Sequence, residues 1–336
     1  MEIVMTHCMR FIFAVAAALG LVTAAYGQYV MKISTPTVGD INVEWMKAFK
    51  TGFEARAGGK VKVELYPGSQ LGSMSQSVDG VVLGTIEVAF VSSGFLVGIE
   101  PRYQIFDAVG IFDDVAHGQQ IFSDDAVKKR LANFGESKGV VPLTNFIHSP
   151  YVVVAKKPIR TLGDLKGLKV RTFATPMQIE PMKKLGALPI PMTLGEVLPA
   201  LQNGTIDAAL SGNTILTAFK YYDTAKTAMY MPTWTIVASA IINKAWLNSL
   251  PPALQSALWE EARKADTAAA VWGAADIERS RKLWEKNGGA NVSLAPAEQK
   301  RFIEDVTSSM LPVVNANPQI KADYEALTIA SKKYRK

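Results

Sequence analysis

Cysteine is almost missing from this chain. Its 336 residues include one, Cys8, so no internal disulfide can form and no cysteine-based zinc site can be built. Histidine is scarce as well. His7, His117 and His148 lie far apart in the sequence, which argues against a histidine-rich metal site and predicts His117 and His148 as ordinary surface or cleft residues. There is no Walker A loop, no G-x-G-x-x-G after a strand, no H-E-x-x-H, no EF-hand loop and no G-x-S-x-G elbow. The usual nucleophile–base pairs are therefore lacking, and nothing calls for a cofactor or a metal. Carboxylates do come in pairs, at Asp113-Asp114, Asp124-Asp125 and Glu260-Glu261. Neighbours in a helix face different ways, so these read as solvated surface charge. A dense basic patch is also absent. Lys+Arg is 36 against Asp+Glu 30, a formal charge of +6 spread along the chain. That disfavours a nucleic-acid partner while leaving a mild attraction for anions.

What is present is globular composition, 49% hydrophobic and 20% charged. The length favours two domains over one. Residues 1–27 read as a secretory signal peptide. Arg10 gives a positive start, 11–22 is an apolar run, and Ala25-Tyr26-Gly27 is a small-x-small site before Gln28. An uncleaved anchor is the alternative, although the run is short for a bilayer span. No later segment reads as a membrane helix. Residues 230–247 are apolar, but Pro232, Asn243 and Lys244 indicate a strand and turn. An exported product that is not itself embedded in a membrane follows, with a periplasmic location.

From residue 30 the periods alternate. Residues 30–35 and 60–66 read as strands, and Ile41, Trp45, Phe49 and Phe53 recur at helical spacing between them. A helix over 73–84 and a strand over 86–91 complete a βαβαβ order, which predicts a parallel sheet. The order repeats as a strand over 168–172, a helix over 177–185, a strand over 188–192, a helix after a Thr193…Glu196 capping box, and a strand over 206–210. "GVVLGTIEVAFV" and "PALQNGTIDAAL" share the sequence helix, Gly-Thr-Ile-acid, strand, the mark of two related lobes. A long helix over 253–286 and an amphipathic one over 296–311 follow. Residues 314–336 are largely polar and carry no decisive pattern.

Two α/β lobes without catalytic apparatus suit a ligand clamp that closes on a hinge. Ligands in such sheets sit at the carboxyl ends of strands, here 34–37, 91–94, 171–173 and 211–213. A secreted hydrolase or lyase acting on an organic acid, and a ligand-sensing subunit of a receptor, are the competing readings.

The segments "YPGSQLG" (66–72), "GTIEVAF" (84–90), "LGDLKGLKVRTFATPM" (162–177), "GALPIPMTLGEVLPALQNGTIDAAL" (186–210) and "NKAWLNSLPPALQ" (243–255) resemble the substrate-binding proteins of tripartite ATP-independent periplasmic (TRAP) transporters, the DctP-like family. The resemblance implies a two-lobe periplasmic-binding-protein-like α/β fold with crossing hinge strands and a long helix spanning both lobes. It places lobe I at 28–148 plus 237–276 and lobe II at 149–236 plus 277–336. It also implies an organic-acid ligand passed to TRAP membrane permease subunits. In the family the Arg ending "KVR", here Arg171, grips the substrate carboxylate. A guanidinium fork suits that task independently, because it pairs both oxygens and stays charged. Departures from the pattern put a polyhydroxylated, sialic-acid-type pocket in doubt. Tyr151 stands where many relatives carry a second Arg, and Ala174 and Ser211 stand where an Asn is common. The expected lining is Arg171, Tyr151, Phe173, Ser211, Trp234, Ser92, Ser93, Thr35, His148 and Met177, with Phe146 beside them; for Trp234 a place in the core is an equal alternative. The expected ligand is a monocarboxylate, either a 2-oxo or 2-hydroxy acid or an aromatic acid.

Overall fold

The first described strand, β1 (Tyr29–Ser34), buries alternate side chains and lies parallel to β2 (Val61–Tyr66) and β3 (Val88–Ser92). The structure is a computed structural model that describes residues 28–335. The segment read as a signal peptide lies outside the described residues. Between β1 and β2 runs α1 (Ile41–Ala57), started by Asp40, whose side chain accepts from the Val43 amide at 3.2 Å. Trp45, Phe49 and Phe53 are fully buried on one face of this helix, and the Trp45 and Phe49 rings stack at 4.9 Å. Helix α2 (Met74–Leu83) ends at Gly84, where φ is +77° and only glycine sits without strain.

At the other end of the same sheet, β5 (Lys169–Thr172) is parallel to β6 (Leu188–Pro191) and β7 (Ala208–Gly212). Glu196 reaches back from α6 (Leu194–Asn203) to the Thr193 amide at 2.8 Å, as the capping pattern predicts. Helix α5 (Pro176–Lys184) precedes β6.

The centre of the sheet departs from the parallel expectation. The sheet runs β2-β1-β3-β8-β4-β7-β5-β6, and β9 (Ala290–Ser293) joins β8. The two long strands β4 (Val140–Ala155) and β8 (Thr227–Asn243) pair antiparallel along their length, and they also meet β7 and β3 antiparallel. They pair directly and need no crossover helix, so the βαβ rule governs only the two flanks. The ladder between them breaks at Pro142/Thr144, Ile147/Ser149 and Pro150/Val152. Pro142 and Pro150 have no N–H to donate, and such residues survive inside a sheet only at irregularities. On β8 the third break holds Thr233 in the left-handed region, at φ +49°.

Helices α3 (Val115–Ser123) and α4 (Asp125–Leu131) precede β4. Helix α7 (Asn213–Ala218) follows β7, and α8 (Lys244–Ser249) follows β8. Helix α9 (Pro252–Lys286) has 35 residues, roughly 52 Å of rise. It packs on α1 at one end of the sheet and on α7 and β9 at the other. Glu261 on this helix is buried and pairs with Lys264 at 2.7 Å, so it is not the solvated charge expected of it. Helix α10 (Pro296–Asn315) lies on α5, and α11 (Pro318–Tyr334) lies on the 101–107 turn, α3 and α4. The unremarkable tail is thus an ordered helix. Ile320, Leu327 and Ala330 are buried, and Arg335 closes it onto Asp113 at 2.7 Å. Among the described residues no helix is long and apolar enough to cross a membrane.

Candidate functional site

The carboxyl ends of β1, β3, β5 and β7 face one another across the crossing strands. A small cavity lies there, walled by Thr37, Ser92, Arg171, Phe173 and Ser211, with His148 and Ala238 contributed by β4 and β8. Its volume is about 10 Å³, room for about one water molecule. Helices supply the remaining polar and apolar wall, Asn42 from α1, Met74 from α2, Leu194 from α6 and Ile215 from α7.

Arg171 is 0% exposed. Its Nε donates to the Met192 carbonyl at 3.0 Å and one terminal nitrogen to the Leu210 carbonyl at 3.1 Å. The other terminal nitrogen, Nη2, is buried without a hydrogen-bond partner. The guanidinium carbon stands 4.7 Å from the centre of the Phe173 ring, and that ring meets Phe95 edge-on. No carboxylate forms an ion pair with Arg171 among the described residues. Burial pulls its pKa down to about 10, which still leaves it charged at neutral pH. A buried cation held by neutral carbonyls, with a donor to spare, has the chemistry to pair with an anion.

His148 is the β4 residue skipped by the Ile147/Ser149 break. It is a buried residue of the cavity wall and not a surface one, held between the Asp40 cap of α1 and Thr214 of α7. Its Nε2 lies 2.8 Å from Asp40 Oδ2, and its Nδ1 lies 3.3 Å from both Ser149 Oγ and Thr214 Oγ1. Burial alone would raise the Asp40 carboxyl, but the bond and charge of His148, with bonds from Thr37 and Val43, hold it below its usual value. His117 is also buried, with Nε2 2.9 Å from the Ser331 carbonyl.

Five of the sequence-predicted residues therefore come together on the cavity: Arg171, Phe173, Ser211, Ser92 and His148. Thr35 stands one layer behind, its hydroxyl 3.1 Å from that of Thr37. Ser93 and Met177 are buried outside the lining, and Ala174 is exposed. Tyr151 and Trp234 belong to the core instead of the cavity wall. Their rings pack 5.2 Å apart, the Tyr151 hydroxyl donates to Asp107 at 2.9 Å, and the Trp234 indole donates to the Asp107 carbonyl at 2.7 Å. Asp107 itself is buried without a cation. It takes bonds from Tyr151, Gln178 and Thr175, yet burial pushes it up to about 6. The Phe146 ring lies 5.8 Å from that of Phe90, tilted by 42°, and is not part of the cavity wall. Thr37 lies at the 34–37 strand end that the sequence singles out, whereas sequence reasoning missed Asn42 and Asp40. Their signal was the Thr35-Pro36-Thr37 strand end followed by an Asp that caps a helix.

The chain matches the model of the DctP family, bacterial extracellular solute-binding protein family 7, over residues 34–314. It is 32% identical over 220 residues to the 2,3-diketo-L-gulonate-binding periplasmic protein YiaO of Escherichia coli (strain K12), covering 65% of this chain and 67% of that protein. It is 24% identical over 255 residues to the C4-dicarboxylate-binding periplasmic protein DctP of Rhodobacter capsulatus, covering 75% of this chain and 76% of that one. Among solved structures, a TRAP periplasmic solute binding protein from Desulfovibrio salexigens with bound orotic acid superposes with a TM-score of 0.87 at 21% identity. It covers 92% of this chain and 100% of that one. One from Xanthobacter autotrophicus PY2 with bound β-D-galacturonate gives 0.83 at 24%, covering 89% and 99%. At these identities the superpositions show the fold alone.

Proposed function

The chain belongs to family 7 of the bacterial extracellular solute-binding proteins, and on that premise we propose that it captures an organic monocarboxylate bearing a 2-oxo or 2-hydroxy group between two lobes and delivers it to a TRAP membrane permease. The reading rests on one observation above the others, the buried Nη2 of Arg171 with no partner. A ligand carboxylate supplies that partner and the missing negative charge. Arg171 is the one Lys or Arg in the lining, which favours one carboxylate over two. Asn42 adds the second contact. Its Nδ2 donates to Thr35 and Thr37, and its Oδ1 is buried without a donor, so a ligand hydroxyl fits there. The E. coli relative's name, a diketo acid binder, agrees with this class.

The lobes of this proposal are 28–148 plus 237–276 and 149–236 plus 277–336, with α11 folded back over the first lobe's helices. The cavity is too small for any organic acid in this conformation, so entry requires the lobes to part. The three ladder breaks in β4 and β8 are where the strands can bend. Export to the periplasm, by removal of residues 1–27, places the protein where its permease is.

Mass spectrometry of the protein purified under native conditions, followed by a thermal-shift panel, tests this. The panel comprises 2-oxo acids, 2-hydroxy acids, sugar acids, aromatic acids and C4 dicarboxylates. Hydroxy and oxo monocarboxylates should raise the melting temperature and be recovered unaltered. A shift with dicarboxylates alone would overturn the single-carboxylate reading, and turnover of the acid would favour the hydrolase or lyase.

A further inference from the structure

A second, larger cavity shares no lining residue with the Arg171 site. Its volume is about 720 Å³, within the range of small-molecule sites. It lies between α3 and α4 on one side and residues 259–270 of α9 on the other, over residues 141–146 of β4. All of its lining falls within 115–146 and 244–270, one side of the crossing strands, so occupancy does not depend on lobe closure.

The chemistry of its walls is two-sided. Phe122, Leu143, Phe146 and Trp259 give it an apolar body. Lys128, Lys244 and Arg263 give it three cations against a single carboxylate, Asp266. Arg263 is exposed and makes no ion pair among the described residues. Lys128 and Lys244 are tied only to exposed acids, Asp125 at 3.7 Å and Glu136 at 2.5 Å, pairs that contribute little and can be exchanged. Asp266 is positioned deliberately by its neighbours. The Trp45 indole and the Thr144 hydroxyl both donate to its Oδ1 at 2.6 Å. Both bonds fall on the same oxygen, and Asp266 is part of the cavity wall. Burial pushes this carboxyl up to about 6, as at sites where ligands meet charge in a dry wall.

We propose that this cavity is a second binding site, for a small amphipathic organic acid. The ligand's ring or branched apolar body lies between Phe146 and Trp259, its anionic head meets Arg263 with Lys128 or Lys244, and an N–H or O–H donates to Asp266. The assignment is independent of the Arg171 reading and stands or falls separately.

Indole-3-acetate carries all three features and serves as the probe, titrated calorimetrically into the full mature chain. Binding should survive Arg171→Met within two-fold. It should weaken at least ten-fold in Arg263→Glu, which reverses an exposed charge and leaves the fold intact. It should be blocked in Thr267→Trp, which places bulk at the cavity mouth without altering buried residues. Rising salt should weaken it. Loss of binding in Arg171→Met with no change in Arg263→Glu would assign the probe to the first site and overturn the proposal. So would the absence of any binding heat at millimolar probe while both variants retain wild-type circular dichroism.

Discussion

A single buried cation organises the site at the scale of residues. Arg171 forgoes hydration for two carbonyls and a ring face, and one of its nitrogens stays unmatched. Replacing it with methionine should leave the circular dichroism unchanged and remove the ligand-induced rise in melting temperature. Asp107 gives a prediction about pH. Its folded pKa, about 6, lies above its unfolded value of 3.8 because of burial. The native state therefore holds the proton more tightly, and the stability this group contributes is present below pH 4 and lost as pH rises through 6. Urea unfolding of wild type and Asp107→Asn at pH 4.5 and pH 7 checks the sign. The variant should gain relative to wild type at the higher pH. Arg171 was legible in the sequence because the "KVR" strand end carries both a chemical rationale and a family resemblance. Tyr151 was expected in the lining and Trp234 was open between pocket and core; both lie buried outside the cavity wall, for a physical reason. An aromatic ring with a polar tip reads the same in a pocket as in a core, and only their shared partner, Asp107, decides between the two.

Elements that declare themselves locally were readable. Helix α1 has its Asp40 cap and four-residue aromatic spacing, α6 has its Thr193–Glu196 box, and Gly84 and Gly204 both close helices in the left-handed region at φ +77° and +81°. Strand β4 was not readable as one element. Pro142 and Pro150, with Thr144, Asn145, His148 and Ser149 between them, interrupt the apolar residues of this stretch, and proline in a run argues against a central strand. The structure resolves the conflict by putting both prolines at breaks in the ladder. Close packing against β4 is also local and testable. A β-carbon at Gly118 would run into Ile147, and one at Gly212 into Ser149 and Ile236. Gly118→Ala and Gly212→Ala should each cost about 1–3 kcal/mol in chemical denaturation. The second should also alter ligand affinity, because Ser149 sits beside His148 at the middle break.

The molecule as a whole is one sheet whose two parallel flanks are stitched by a pair of antiparallel strands. The repeated βαβ order foretold the flanks. It could not foretell the stitching, because β4 and β8 are joined by about seventy residues of intervening chain and no local signal records their pairing. The same distance hid the docking of α11, whose few apolar residues find their partners only on α3, α4 and the 101–107 turn. If the cavity at Arg171 admits ligand by parting of the lobes, X-ray scattering in solution should show a larger radius of gyration without ligand than with it. An identical radius in both states would confine adaptation to side chains.

Titration calorimetry of the preferred acid against wild type and Arg171→Ala puts the central claim to its most direct test. A buried, hydrogen-bonded charge partner contributes about 2–5 kcal/mol when one side is truncated, so affinity should fall by roughly thirty-fold to several thousand-fold. Equal affinity in the two proteins would contradict the account, since the guanidinium would then not be what holds the carboxylate.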